Sequence, residues 1–296
     1  MKSSIGQALS FLFVPGSRPE RFAKALASGA SCIILDLEDA VAAPQKPAAR
    51  QAIAQWLAAN AAVRQRVLVR LNDAASPWHA EDLVLCRAAS LTTVMLPKCE
   101  SGEQVAAVRA HLAGPAVVLA LIESARGIAA AQAIAATPGV ARLAFGSLDY
   151  MVDLDIPALR DARGNSNLAL DVAAAQLAIA SRAADLAPPV AGVTPEIDAL
   201  QVEFDMQQAR QLGFGAKMCI HPSQVAAVHQ ALRPDQSSVA WAHKVLQAWH
   251  DSAGGVIQVD GKMVDRPVVL KAQRLVALAV ATDDAAARPE KFPSEN

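Results

Sequence analysis

Hydrophobic and polar positions alternate along most of the chain between short solid apolar runs and longer stretches with helical spacing. The apolar runs are Phe11–Val14, Cys32–Leu37, Val67–Leu71, Thr93–Leu96, Val117–Ile122, Arg142–Phe145, Val190–Val193 and Ala216–Ile220. After the first comes a helical pattern over Arg18–Ser28, and after the second one over Lys46–Ala59. Short β-rich runs alternating with amphipathic helices predict βαβ units and a parallel sheet. Runs apolar on both faces, such as Val117–Ile122, suit strands buried on both sides. Eight such strands close naturally into a (β/α)8 TIM barrel of roughly 250 residues. The rival, an open doubly wound sheet, carries its ligand at a Gly-rich first turn. The nearest approach to GxGxxG starts at Gly213-Phe214-Gly215, has Met218 in the third glycine position, and is rejected.

Local signals sharpen the boundaries. Ser17 is read as an N-cap, with Glu20 completing a capping box. Ser101 opens the helix after strand four, and Gly29 and Gly213 stand where helices end. The segment Tyr150–Asn167 exceeds a usual βα loop and is read as a lid candidate. Beyond Leu232 the rhythm changes. Arg233-Pro234-Asp235 reads as a linker, followed by a helix near Ser238–His250, Gly254-Gly255, a hairpin around Asp260-Gly261 and a helix near Val268–Ala281. The organisation expected is a barrel over 1–232, a helix–hairpin–helix extension over 233–282 and a flexible tail over 283–296.

Composition excludes several classes. The chain has 296 residues, 53% of them hydrophobic, and 27 basic against 28 acidic side chains give a net charge of −1. That balance argues against a nucleic-acid binder, which needs a basic excess or stripe. The longest apolar stretches, such as Ala116–Ile122, are far short of the roughly 20 residues that span a bilayer. Leu12–Val14, cut by Pro15, makes no signal peptide. Cys32, Cys86, Cys99 and Cys219 are scattered without a CxxC pair, and are read as reduced thiols of a cytoplasmic protein.

Barrel active sites lie at the carboxyl ends of the strands. Strand two ends in Asp36-Leu37-Glu38-Asp39, strand three in Arg70-Leu71-Asn72-Asp73, strand four in Lys98, strand five in Glu123-Ser124 and strand six in Gly146-Ser147-Leu148-Asp149. Any one of these charges could simply emerge into solvent. As a set they would repel in a partly desolvated mouth. A divalent cation, with Arg70 and Lys98, would compensate them. All-oxygen ligands favour Mg2+ or Mn2+ over zinc, and no HExxH is present. There is no Walker motif and no GxSxG elbow. His221, Cys219, Trp241 and Trp249 are read as local capping and packing residues.

Several motifs resemble the citrate lyase β-subunit-like family of the HpcH/HpaI aldolase superfamily, near the malyl-CoA and citramalyl-CoA lyases. They are Phe13-Val14-Pro15-Gly16-Ser17-Arg18-Pro19-Glu20-Arg21-Phe22, Asp36-Leu37-Glu38-Asp39-Ala40-Val41, Val69-Arg70-Leu71-Asn72 and Leu96-Pro97-Lys98. Leu121-Ile122-Glu123-Ser124-Ala125-Arg126-Gly127, Phe145-Gly146-Ser147-Leu148-Asp149-Tyr150 and Lys217-Met218-Cys219-Ile220-His221-Pro222 follow in order. The resemblance implies a TIM barrel, Mg2+ held by Glu123 and Asp149, and Arg70 on a substrate carbonyl or carboxylate. It implies that Glu38 and Asp39 orient metal waters and Arg70. A coenzyme A thioester would be the substrate, with Pro15, Gly16, Arg18 and Lys98 as binding candidates. The segment Asp260-Gly261-Lys262-Met263-Val264-Asp265-Arg266-Pro267 resembles the part that malyl-CoA-lyase-like relatives pass over a neighbouring subunit. There Asp265 would act as an acid/base group in a homotrimer or a multiple of one. Asp265-Arg266-Pro267 also suits a plain helix start. The expected reaction is cleavage of a β-hydroxyacyl-CoA to acetyl-CoA and a 2-oxo acid or glyoxylate. The alternatives are a thioesterase on the same metal site and a non-catalytic or complex-bound citrate lyase β subunit.

Overall fold

The apolar runs become eight parallel strands, β1 Ser10–Pro15, β2 Cys32–Asp36, β3 Val67–Arg70, β4 Thr93–Leu96, β5 Val117–Ile122, β6 Val140–Phe145, β7 Val190–Ala191 and β8 Ala216–Cys219. The computed structural model describes residues 4–287 apart from 113, 162 and 253–256. The strands pair in chain order, and β8 returns to β1 through Phe11↔Met218 and Leu12↔Cys219, which closes a TIM barrel. Alternate residues fill its interior, among them Phe11, Ile34, Leu68, Met95, Leu119 and Met218. The intervening residues, including Leu12, Ile33, Val69, Val94 and Val118, pack outward against the helices. Burial on both faces is why these strands read as continuous apolar runs.

The helices that wrap the barrel are α1 Ser4–Gln7, α2 Phe22–Ala27, α3 Lys46–Ala59, α4 His79–Ala88, α5 Gly102–His111, α6 Ala125–Ala136, α7 Ser147–Asp153, α8 Leu168–Ala183, α9 Ala199–Gln211 and α10 Ser223–Leu232. Ser101 caps α5 in a full capping box with Gln104. Gly29 (φ +83°) and Gly213 (φ +96°) take the left-handed conformation after α2 and α9. Ser17 does not cap the first helix. A 3-10 turn over Pro19–Arg21 intervenes, with Arg18 at its N-cap and no side-chain cap bond, so Ser17 stands one residue too early. Strand seven is shorter than its apolar run. After Ala191 the chain turns to bring Gly192 against Ser147, where a Cβ would fall 2.3 Å from the hydroxyl, and the Gly192 carbonyl accepts from Lys217 Nζ.

The floor of the barrel is closed by Arg142, an inward-facing residue of β6 that is 1% exposed. Its guanidinium donates to the carbonyls of Ile5 (3.1 Å), Ala8 (2.7 Å) and Pro188, and lies 5.9 Å from the Phe11 ring. Burial pulls its pKa down to about 9.

Beyond the barrel come α11 Gln236–Asp251, the antiparallel pair β9 Ile257–Val259 and β10 Lys262–Val264, and α12 Arg266–Ala286. Asp260 (φ +49°) and Gly261 (φ +76°) make the two-residue hairpin turn that Asp-Gly favours. Trp241 and Trp249 pack on a separate core of Ala242, Val245, Val264 and Val269. The final helix runs past residue 281 to Ala286. Thr282 and Ala285 are buried there, and Asp283 pairs with Arg233 at 2.7 Å. Gly254-Gly255 and positions 288–296 of the expected tail lie outside the described residues. No described helix is long and apolar enough to cross a membrane.

Candidate active site

The register of β2 and β3 sets Asp36 directly beside Arg70 at the carboxyl ends of the two strands. Both lie on the inward face with Ile34 and Leu68, so the last turn of side chains at the mouth is charged rather than apolar. Asp36, 1% exposed, receives Arg70 Nε at 2.7 Å and Nη2 at 2.6 Å in a two-pronged pair. Asp36 also accepts from the amides of Glu38 (2.9 Å) and Ala40 (3.2 Å). Arg70 Nη1 then reaches Glu38 at 3.0 Å and Asp39 at 3.5 Å, and the guanidinium lies 4.9 Å from the Phe13 ring. Burial opposes the charge of Arg70, but Asp36, Glu38 and Asp39 outweigh it and hold the group fully protonated.

Lys98 joins this cluster to the next carboxylate. Its Nζ donates to Glu38 Oε1 at 2.5 Å, and its backbone amide donates to Glu123 Oε1 at 2.7 Å. Lys98 itself adopts the left-handed backbone, φ +45°. Glu123, 4% exposed, follows β5. Burial pushes its carboxyl up to about 8, with Glu38 and Asp149 adding repulsion and the Lys98 amide opposing it. Gly146 after β6 leaves room for this carboxylate, since a Cβ there would lie 2.5 Å from Oε2. Asp149, in the first turn of α7, is exposed beside it. Burial also raises Glu38, against the pull of Arg70 and Lys98. Its Oε2, though near Arg70, has no aligned hydrogen-bond donor.

A supporting layer, unanticipated from the sequence, lies beneath. Lys46 of α3 donates to Leu37 O (2.6 Å), Glu38 O (2.8 Å) and Asn72 Oδ1 (2.6 Å), fixing the turn that carries Glu38. Asn72 is held in turn by Asp82, and Asp82 by Arg50 at 3.0 Å. The available signal was weak: Lys46 and Arg50 interrupt the buried face of α3 otherwise formed by Ala49, Ile53 and Leu57. Asp36 itself was visible as a strand end, but its role as the principal partner of Arg70 was not.

The structure thus brings together Arg70, Glu38, Asp39, Lys98, Glu123 and Asp149. Pro15 and Gly16 end β1 on the same rim, with Gly16 packed on the Asp36 carbonyl, and Arg18 is half exposed and 3.6 Å from Glu20. Asp265 is not in this set within one chain; its carboxylate caps α12 at Val268 N. His221 is exposed and bonds locally to Ser223, while Cys219 is buried. Among the described residues no three His, Cys, Asp or Glu side chains form a metal cage. Two carboxylates with surplus negative charge, next to an acceptor lacking a donor, fit an ion such as Mg2+. That ion keeps most of its waters and takes one or two protein carboxylates.

Fold and mouth together define a TIM-barrel protein of the acid-lined type whose chemistry sits at the strand ends. The chain belongs to the HpcH/HpaI aldolase/citrate lyase family, whose model matches residues 9–222. It is 38% identical over 273 residues to a citrate lyase subunit beta-like protein of Mycobacterium tuberculosis, covering 91% of this chain and 94% of that one. It is 29% identical to a (3S)-malyl-CoA thioesterase of Cereibacter sphaeroides over 92% of this chain and 94% of the relative. Among solved structures, protein CitE from M. tuberculosis in complex with magnesium, acetoacetate and coenzyme A superposes with a TM-score of 0.80 at 36% identity, covering 92% of this chain and 98% of that chain.

Proposed function

We propose that the chain is a Mg2+-dependent carbon–carbon lyase, with Mn2+ as a substitute ion. It cleaves a β-hydroxyacyl-CoA of the citryl-, malyl- or citramalyl-CoA type to acetyl-CoA and a 2-oxo acid or glyoxylate. The observation that carries this reading is the continuous Asp36–Arg70–Glu38–Lys98–Glu123 chain at the ends of β2–β5 with Asp149 beside it. A relative solved in complex with magnesium, acetoacetate and coenzyme A supports it.

Glu123 and Asp149 would hold the ion, which when bound supplies Lewis-acid polarisation of the substrate oxygen that becomes a carbonyl. Arg70, locked by Asp36, aims its remaining guanidinium edge at developing negative charge on substrate oxygen; such preorganised donors act without reorganisation cost. Glu38 and Asp39 hold that edge and offer acceptors for bound water. Lys98 keeps Glu38 and Glu123 apart in position. Burial opposes its charge, but Glu38, Glu123 and Asp39 keep it a cation. Arg18, with the Pro15-Gly16 turn, offers an exposed cation to the coenzyme A phosphates. Asp265, presented by a neighbouring copy in a homotrimer or a multiple of one, would deliver a proton to the acetyl-CoA enolate carbon.

The test is incubation with Mg2+ and a panel of acyl-CoA thioesters, with products identified by mass. A lyase yields acetyl-CoA and an oxo acid. Free coenzyme A with the intact hydroxy acid supports the second reading, a thioesterase, which the 29% identical malyl-CoA thioesterase favours. Turnover of no thioester refutes both.

A further inference from the structure

Behind β6, β7 and β8, a second cavity of about 120 Å³ lies between the sheet and helices α8 and α9. Its walls are mostly apolar, with Phe145, Leu159, Ala174, Phe204 and Leu212 among them. Lys217 also lines it. Ala216 and Met218 point into the barrel, so strand alternation sends Lys217 outward into this space, where it is 4% exposed.

This lysine is poorly provided for. Its Nζ donates to Gly192 O at 2.6 Å, and no carboxylate of the described residues forms an ion pair with it. The nearest candidate, Asp205, is already saturated. It accepts from Arg160 Nη2 at both oxygens (2.8 and 2.7 Å), from Gln201 at 2.8 Å and from Thr194 at 2.6 Å. A carboxylate has about four acceptor sites, and these are filled. Arg160 also pairs with Glu196 at 3.1 Å, so both neighbouring carboxylates are engaged by Arg160 and Lys217 is left without a direct ion pair. An ammonium carries three N–H donors, one of which has a protein acceptor here. Burial lowers the pKa of Lys217 to about 8, consistent with a cation lacking its partner.

We propose that this cavity is a binding site for a small aliphatic monocarboxylate, whose carboxylate accepts from Lys217 and whose alkyl end rests on Phe145, Leu159 and Phe204. The space equals about four water volumes, which suits a short chain and excludes a coenzyme A ester. The other cation lining the space, Arg160, is already paired with Asp205 and Glu196, which disfavours dicarboxylates. The site is distinct from the mouth and does not depend on the proposed reaction.

The test uses the full chain with sodium butyrate as probe and 1-butanol as the neutral control, at constant ionic strength, read by thermal melting and by 13C NMR of carboxyl-labelled butyrate. The expected result is saturable binding of butyrate, not of butanol, weakened at least tenfold in Lys217→Met. It should weaken equally in Ala209→Leu, which fills the cavity from α9 and leaves the charge in place. Glu123→Gln should bind butyrate like the wild type. The proposal is overturned if butyrate does not bind saturably, if both cavity variants bind it normally, or if Glu123→Gln alone abolishes binding, which would place the ligand at the barrel mouth. Should Lys217→Met fail to fold, Ala209→Leu decides.

Discussion

Replacing Asp36 by Asn tests whether the Asp36–Arg70 pair organises the mouth. The change is isosteric but removes one charge from a site that is 1% exposed. All four partners of Asp36 are donors: Arg70 Nε and Nη2, and the amides of Glu38 and Ala40. Whichever way the Asn amide is turned, its NH2 meets N–H groups that had an oxygen to bind. Breaking a buried ion pair from one side costs about 3–5 kcal/mol. Glu38 at 3.0 Å and Asp39 at 3.5 Å still face Arg70 Nη1, so the lower end applies, about 3 kcal/mol. For a chain of this length that corresponds to a melting temperature lower by about 5 °C. Calorimetry measures the loss, and acyl-CoA turnover should fall by at least about tenfold as Arg70 is released from its fixed orientation. The double variant Asp36→Leu/Arg70→Met separates the two effects. Replacing both charges by apolar groups is often neutral for stability, but here the Glu38 and Ala40 amides lose their acceptor and Glu38 loses Arg70, so melting should recover only in part while turnover stays lost. Unchanged melting and unchanged turnover in Asp36→Asn would refute the argument that this pair is buried, saturated and functional.

Gly146→Ala should lower the melting temperature and abolish Mg2+-dependent turnover, because the added Cβ falls 2.4 Å from Glu123 Cβ, which only a backbone shift relieves, and 2.5 Å from its Oε2; thermal melting and product assays check the two halves. Glu123→Gln should likewise remove metal-dependent turnover, and full turnover in Mg2+ would sink the assignment of that residue. Lys217 has a folded pKa lowered from 10.5 to about 8, so the unfolded chain binds more protons between those values. Its contribution to stability therefore rises with pH across pH 8 to 10.5. Lys217→Met should be more stable than the wild type near pH 7, with the gap closing toward pH 10.5 in urea titrations. Arg142→Met strips the donor from the carbonyls of Ile5, Ala8 and Pro188, at about 1–3 kcal/mol for each one left buried without a donor. Limited proteolysis should then cut sooner near α1.

The periodicity of the chain determined the barrel. Eight apolar runs at helix-separated spacing have one economical closure, and burial on both faces makes each strand legible without any partner. The charged strand ends were legible for the same reason, since the carboxyl end of a barrel strand is the one place where a charge can follow an apolar run and still face other strands. What the sequence could not show is which charge meets which. The Asp36–Arg70 pairing depends on strand register, and the bond from the Lys98 backbone amide to Glu123 is one that no side chain announces. Lys46, Arg142 and Lys217 are each at least nine-tenths buried, and nothing in the sequence says what would compensate their charge. Their partners are largely backbone carbonyls, which have no sequence signature, and only the tertiary fold brings Gly192 to Lys217 or Ile5 to Arg142.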